Sequence, residues 1–202
     1  MKITNDIIEK LQKKDYTVVH FASSDEAKQY VLSSIAEGKS IGFGGSVTVD
    51  SLHLYEELQQ KGHPVFWHWK TGVEARTPAM TAEVFLCSVN AMDSEGNLYN
   101  IDGTGNRVGA LCFGPKEVFL IVGSNKLVDG GEKEAIDRIK TEACGKNARR
   151  LNLNTYCAQF DKCVGSSGCD SKQRMCKVFQ KLEKQPNGRI FHIVLVDEPL
   201  GY

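Results

Sequence analysis

The chain has 202 residues, with 25 Lys+Arg against 25 Asp+Glu and a formal net charge of zero. That balance removes the electrostatic case for a nucleic-acid partner or a membrane-surface protein, and no apolar run approaches the ~20 residues that a membrane span requires. With 41% hydrophobic residues in coherent runs, the sequence can build a core, and its length suits one domain over 1–202.

Ile7, Ile8 and Leu11 place one apolar stripe on a charged opening helix; with no apolar leader in it, the expected location is the cytoplasm. Residues 17–21 (TVVHF) read as a strand, and Ser23 and Ser24 ahead of Glu26 start a helix running to about Ala36, closed by Gly38. Residues 40–43 (SIGF) form a short strand. Gly44-Gly45-Ser46 then turns into a helix over about 49–61, and Gly62-His63 ends it before a strand at 64–69. A short helix over 71–82 leads into 83–89 (EVFLCSV), a buried strand by its β-branched and aromatic content. Residues 107–113 are apolar and fit a short strand or a helix. Residues 117–123 (EVFLIVG) are a buried strand, Asp129 caps a helix through about Cys144, and 189–197 is a final strand. Strands alternating with helices predict an α/β fold around a largely parallel sheet. Between 144 and 178 the periodicity fades, and a cysteine-rich excursion is expected.

Residues 88–107 (SVNAMDSEGNLYNIDGTGNR) follow a buried strand with twenty positions dense in Asn, Asp, Gly and Thr. Two turns are legible, at 94–97 and at 102–106, where glycine supplies positive φ and Asn or Asp bonds its own backbone. A polar stretch of this length in a small domain points to an ordered, ligand-facing surface. A second such loop, 42–48 (GFGGSVT), joins a strand to a helix, where backbone amides and the helix start favour an anion. It matches neither the Walker A nor the GxGxxG pattern. If both loops lie at the carboxyl ends of strands they share one crevice. The candidate ligand residues are Gly44, Gly45, Ser46 and Thr48 from the first loop, with Asn90, Asn100, Asp102, Gly103, Gly105, Asn106 and Arg107 from the second. Arg107 has two readings, a clamp on a carboxylate or phosphate and a pairing with Asp102; the pairing is favoured, with ligand contact as a second role. His68, between two tryptophans, reads as a half-buried strand histidine.

Seven cysteines is a high count for an intracellular chain. Cys87 and Cys112 have apolar surroundings and read as small core residues. Cys157, Cys163, Cys169 and Cys176 fall in a polar, glycine-containing stretch, where four thiolates suit zinc or an iron–sulfur cluster. Their spacings of five and six match no familiar signature, so metal or cluster, redox disulfides and free thiols all stay open. Arg149, Arg150, Lys162, Lys172 and Arg174 surround them and favour thiolates.

The run SVNA…EGNL…IDGTGNRV over 88–108 resembles the signature of the LUD-domain family, the lactate-utilisation proteins. GFGGSVT at 42–48 is similar to the family's glycine loop, and NARRL at 147–151 with the cysteines from Cys157 resembles the tail of short stand-alone members. The resemblance implies a CoA-transferase or sugar-phosphate-isomerase-like sandwich with a mostly parallel central sheet. It implies a part in oxidising L-lactate to pyruvate beside other oxidoreductase subunits. The loop crevice itself reads as a site for a small organic or phosphorylated anion, catalytic or serving an oxidoreductase assembly; the alternatives are a metal or electron-transfer module on the cysteines and a non-catalytic subunit. In short members the central cysteine pair is CxxC, whereas five residues separate Cys163 from Cys169 here. A homodimer through residues 66–69 (FWHW) is a further expectation, set against burial of the same residues.

Overall fold

The structure, a computed structural model, describes residues 2–202, the Ser166 side chain excepted. Among the described residues, nine strands occur in chain order: β1 Thr17–Phe21, β2 Ile41–Phe43, β3 Val65–Phe66, β4 Val84–Cys87, β5 Ala91–Met92, β6 Leu98–Asp102, β7 Glu117–Gly123, β8 Val178–Leu182 and β9 Ile190–Val196. Six form one sheet in the order β1-β9-β7-β4-β2-β3, with every neighbouring pair parallel. The other three form an antiparallel sheet, β5-β6-β8. The expected α/β architecture with a parallel central sheet is what the chain adopts.

Both faces of the large sheet are covered, which is why β7 reads as a continuous apolar run rather than an alternating one. Val118, Leu120 and Val122 pack on one face with Ile7 and Leu11 of the helix Asn5–Lys13. Phe119 and Ile121 pack on the other with Val31 of the helix Ser24–Ser34 and Leu54 of the helix Leu54–Gln60. Ser23 caps the second of these helices with a reciprocal box: its Oγ accepts from Glu26 N at 3.3 Å, and Glu26 Oε2 accepts from Ser23 N at 3.1 Å.

Several expectations are corrected. The strand expected at 64–69 is only β3, an edge strand; Trp67, 1% exposed, stacks between Phe43 and Trp69, and the chain turns into the helix His68–Thr71. His68 is therefore a helix residue. The helix expected over 49–61 breaks into Val47–Asp50 and Leu54–Gln60 at His53 (φ 54°). The break lets Leu52 and Leu54 both enter the core, although two residues apart on a straight helix they would face opposite ways. Asp129 is not a cap: the helix begins at Glu132, with Gly131 N–H held by Glu134 Oε2 at 2.9 Å. Nor does that helix stop at Cys144; it runs through a π-turn, Ile139–Ala143, into Cys144–Arg150. Residues 88–107 hold the β5–β6 hairpin, whose turn at 94–97 is organised by the Asp93 carboxylate. That carboxylate accepts from Glu95 N, Asn97 N, Asn97 Nδ2 and Tyr99 Oη at 2.8–3.0 Å. Cys87 is buried as expected, but Cys112 is exposed at the end of the helix Asn106–Cys112, its sulfur 3.0 Å from Gln180 Nε2.

Candidate functional site

β2 and β4 end side by side, and the loops beyond their carboxyl ends open one cavity of about 290 Å3. From the first loop, Gly45, Ser46 and Thr48 line it; from the second, Asn90, Asp102, Gly103, Asn106 and Arg107 do. The two loops thus converge as the sequence suggested. A Cβ on Gly45 would stand 3.1 Å from Trp69 Nε1, so glycine lets the indole close one side of the cavity. Ser46 Oγ accepts from Val49 N at 3.3 Å within its own loop, and Thr48 Oγ1 donates to Leu200 O at 3.0 Å, tying the loop to the C-terminal segment.

Three candidates fall outside the lining. Gly44 packs beneath it, where a Cβ would meet Cys87 Cβ at 2.9 Å and Arg107 Cγ at 3.1 Å. Asn100 is completely buried, its Nδ2 donating to Gln180 Oε1 at 3.1 Å. Gly105 supplies the left-handed turn (φ 90°) that opens the helix Asn106–Cys112.

Arg107 is 7% exposed and already engaged. Its Nε donates to Asp102 Oδ1 at 3.0 Å, and its Nη2 donates to Asp102 Oδ1 at 2.6 Å, Asn90 Oδ1 at 2.8 Å and Ile101 O at 3.1 Å. The other Asp102 oxygen accepts from Arg107 N at 3.1 Å and Val108 N at 3.0 Å, capping the helix. One carboxylate therefore joins the hairpin to the helix while its partner arginine borders the cavity. The favoured pairing is the one observed.

The remaining walls bring residues that the sequence did not mark as ligand-facing. His68, Trp69 and Arg76 come from the segment after β3, and Lys126 from the turn after β7. Among the described residues, His68 Nδ1 and Arg76 Nε are buried without a hydrogen-bond partner. Burial, and then the charges of Arg76 and Arg150, push the His68 pKa down, so its ring is neutral at neutral pH. Lys126, 3% exposed, donates to Tyr202 O. Burial, then Arg138, Arg107 and Lys146, lower its pKa to about 7. Among the described residues, the lining holds seven Lys and Arg side chains against one side-chain carboxylate, that of Asp102. No local motif marks Arg76 or Lys126; only the fold collects them.

All five cysteines of the 144–176 segment line this cavity too. Cys144 and Cys176 have their sulfurs 3.3 Å apart. The proton shared from Cys144, followed by the Arg174 and Lys140 charges, draws the Cys176 pKa down to about 7, while the same bond and burial push the Cys144 thiol up. Cys157 Sγ lies 3.3 Å from Thr155 Oγ1, and Cys163 Sγ accepts from Gly165 N at 3.4 Å. Among the described residues, no three His, Cys, Asp or Glu side chains meet at metal-ligating geometry. As they stand, Cys157, Cys163, Cys169 and Cys176 all line the cavity without enclosing one ion. Among the same residues, no helix is long and apolar enough to cross a membrane.

No curated protein matches the chain. A crystal structure of a DUF162 family protein from Deinococcus radiodurans is similar in fold, with a TM-score of 0.56 at 12% sequence identity over 95% of this chain and 94% of that one. The LUD domain profile matches residues 4–196. With that match spanning nearly the whole sequence, the chain belongs to the LUD domain family.

Proposed function

We infer that the cavity binds a small organic or phosphorylated anion, and that the protein serves lactate utilisation, the oxidation of L-lactate to pyruvate, beside other oxidoreductase subunits. The observation that carries the anion reading is the cationic lining with two orphaned polar atoms, His68 Nδ1 and Arg76 Nε, on residues of the same cavity. Buried polar groups are ordinarily partnered, so an anion accepting from Arg76 satisfies a donor the protein leaves open. Association with lactate utilisation is carried by family membership. Calorimetric titration with inorganic phosphate and with L-lactate tests the binding. Saturable heat is expected with at least one, weakened about tenfold or more in Arg76→Met, since a hydrogen bond to a charged group contributes about 1.5–3 kcal/mol. No saturable heat with either anion would overturn the reading.

A second reading, zinc or an iron–sulfur cluster on Cys157, Cys163, Cys169 and Cys176, is favoured by all four lining one cavity. It requires the four cysteines to draw together from where they stand. Metal analysis and a visible spectrum after anaerobic purification decide it.

A further inference from the structure

Cys144 and Cys176 are 32 residues apart in sequence, one in a helix and one in a loop, yet their sulfurs are in contact at 3.3 Å. Cys144 opens the helix Cys144–Arg150 directly behind the π-turn, a departure from helical geometry common at functional sites, and Cys176 precedes β8. Cys144 stands outside the evenly spaced quartet, so the contact is a product of the fold rather than of cysteine spacing. Both residues are half-buried and both face the basic cavity. A disulfide holds its sulfurs at about 2.05 Å, so closure asks each sulfur to move by less than about 1 Å. Arg174 Nε donates to Cys176 O at 3.0 Å, so a guanidinium stands beside Cys176 and marks it as the attacking sulfur.

We propose that Cys144 and Cys176 form a dithiol–disulfide site that exchanges with a small anionic disulfide held in the cavity. The anionic character of the substrate rests on the binding reading above; the thiol pair does not. Cys176 Sγ attacks one sulfur of the substrate R–S–S–R. A Cys176–S–S–R bond forms, the substrate S–S bond breaks, and the first thiolate leaves and takes up a proton. Cys144 then gives up its proton and attacks Cys176 Sγ, forming the Cys144–Cys176 bond and releasing the second R–S group, which is protonated in turn. The substrate gains two electrons and two protons and becomes two thiols; the protein loses the same two electrons and two protons. A second dithiol, reacting by the same exchange, returns the protein to its reduced form.

The test uses the full chain, reduced and purified anaerobically, with glutathione disulfide as the anionic probe, cystamine as the cationic one and hydroxyethyl disulfide as the neutral one. Peptide mapping is expected to find Cys144 joined to Cys176, with the anionic probe reacting about tenfold or more faster than the cationic one at low salt and losing that lead at high salt. Cys144→Ser is expected to stop at one glutathionyl group on Cys176. Cys176→Ser forms no adduct at Cys144, and Cys112→Ser, outside the cavity, reacts as the parent does. A disulfide joining other cysteines, no reaction, or thiols fully occupied by iron or zinc would overturn the dithiol site, and phosphate binding retained in the calorimeter would then leave the anion reading standing. A Cys144–Cys176 bond closing equally fast with all three probes would overturn the substrate class and count against the anion reading.

Discussion

At the scale of single residues, the Asp102 carboxylate carries the most. Its two oxygens cap the helix Asn106–Cys112 and hold the Arg107 guanidinium, which lies almost wholly inside the protein. Removing one partner of a buried pair strands the other charge and costs about 3–5 kcal/mol. Asp102→Ala is therefore expected to lower the unfolding free energy in urea by that amount. Asn90 shares the load through one oxygen, which accepts from Ile101 N and Arg107 Nη2; Asn90→Ala leaves the ion pair intact and is expected to cost about 1–3 kcal/mol. Adding Arg107→Met to Asp102→Ala removes the stranded charge, so the double variant is expected to lose less than the sum of the two single losses. Strict additivity would show that Asp102 acts as a cap alone.

At the scale of elements, the sheet is positioned by how closely a helix backbone can approach it. Gly42 in the middle of β2 faces the helix Arg76–Thr81, and a Cβ there would lie 2.1 Å from the Ala79 carbonyl oxygen. Only backbone would have to yield, so Gly42→Ala is expected at the upper end of overpacking costs, about 3 kcal/mol, read as a fall in the urea midpoint with little change in slope. A loss below about 0.5 kcal/mol would mean that this helix floats on the sheet. Sequence showed these central parts well. β1 and β7 match their expected bounds, and Ser23 with Glu26 announced its helix, because long apolar runs and caps are local signals. β8 was missed because only Gln180 and Leu182 of its five residues are buried and it pairs with β6 alone. The strand expected at 64–69 was overcalled because aromatic residues that fill a core at a chain turn look the same as those of a strand. For the site, the glycine loop and the Asp102–Arg107 turn were legible as loops following buried strands. The third and fourth walls were not: Arg76, Lys126 and Cys144 come from elements whose meeting is decided by strand order, which spacing along the chain does not encode.

For the whole molecule, the buried titratable groups fix how stability varies with pH. Lys126 has its pKa lowered to about 7 by burial, Arg138, Arg107 and Lys146, against about 10.4 in an unfolded chain. Between those values the unfolded chain holds a proton that the folded one has given up, so stability rises with pH. Neutral His68 acts in the same sense below about pH 6.5. Cys87 works the other way. Burial pushes its pKa up to about 12 from about 8.5, so above about pH 8.5 the unfolded chain loses a proton that the folded one keeps, and stability falls. Tyr99, raised to about 12 by burial and by Asp93, adds to that fall above about pH 10, as does buried Tyr16, also raised. The shifts of Cys144 and Cys176 oppose each other within one contact. The thermal midpoint of the reduced protein is therefore expected to climb from pH 7, peak at about pH 8.5–9.5 and decline beyond, a more alkaline optimum than the usual one between about pH 5 and 8. A single group contributes at most about 1.4 kcal/mol per pH unit, so Lys126→Met is expected to flatten the rise between pH 7 and 8.5 while leaving the alkaline decline in place. If Lys126→Met keeps the full rise, the amine is charged in the folded protein at neutral pH, and the cavity's cationic field is stronger by one charge than the burial of Lys126 implies.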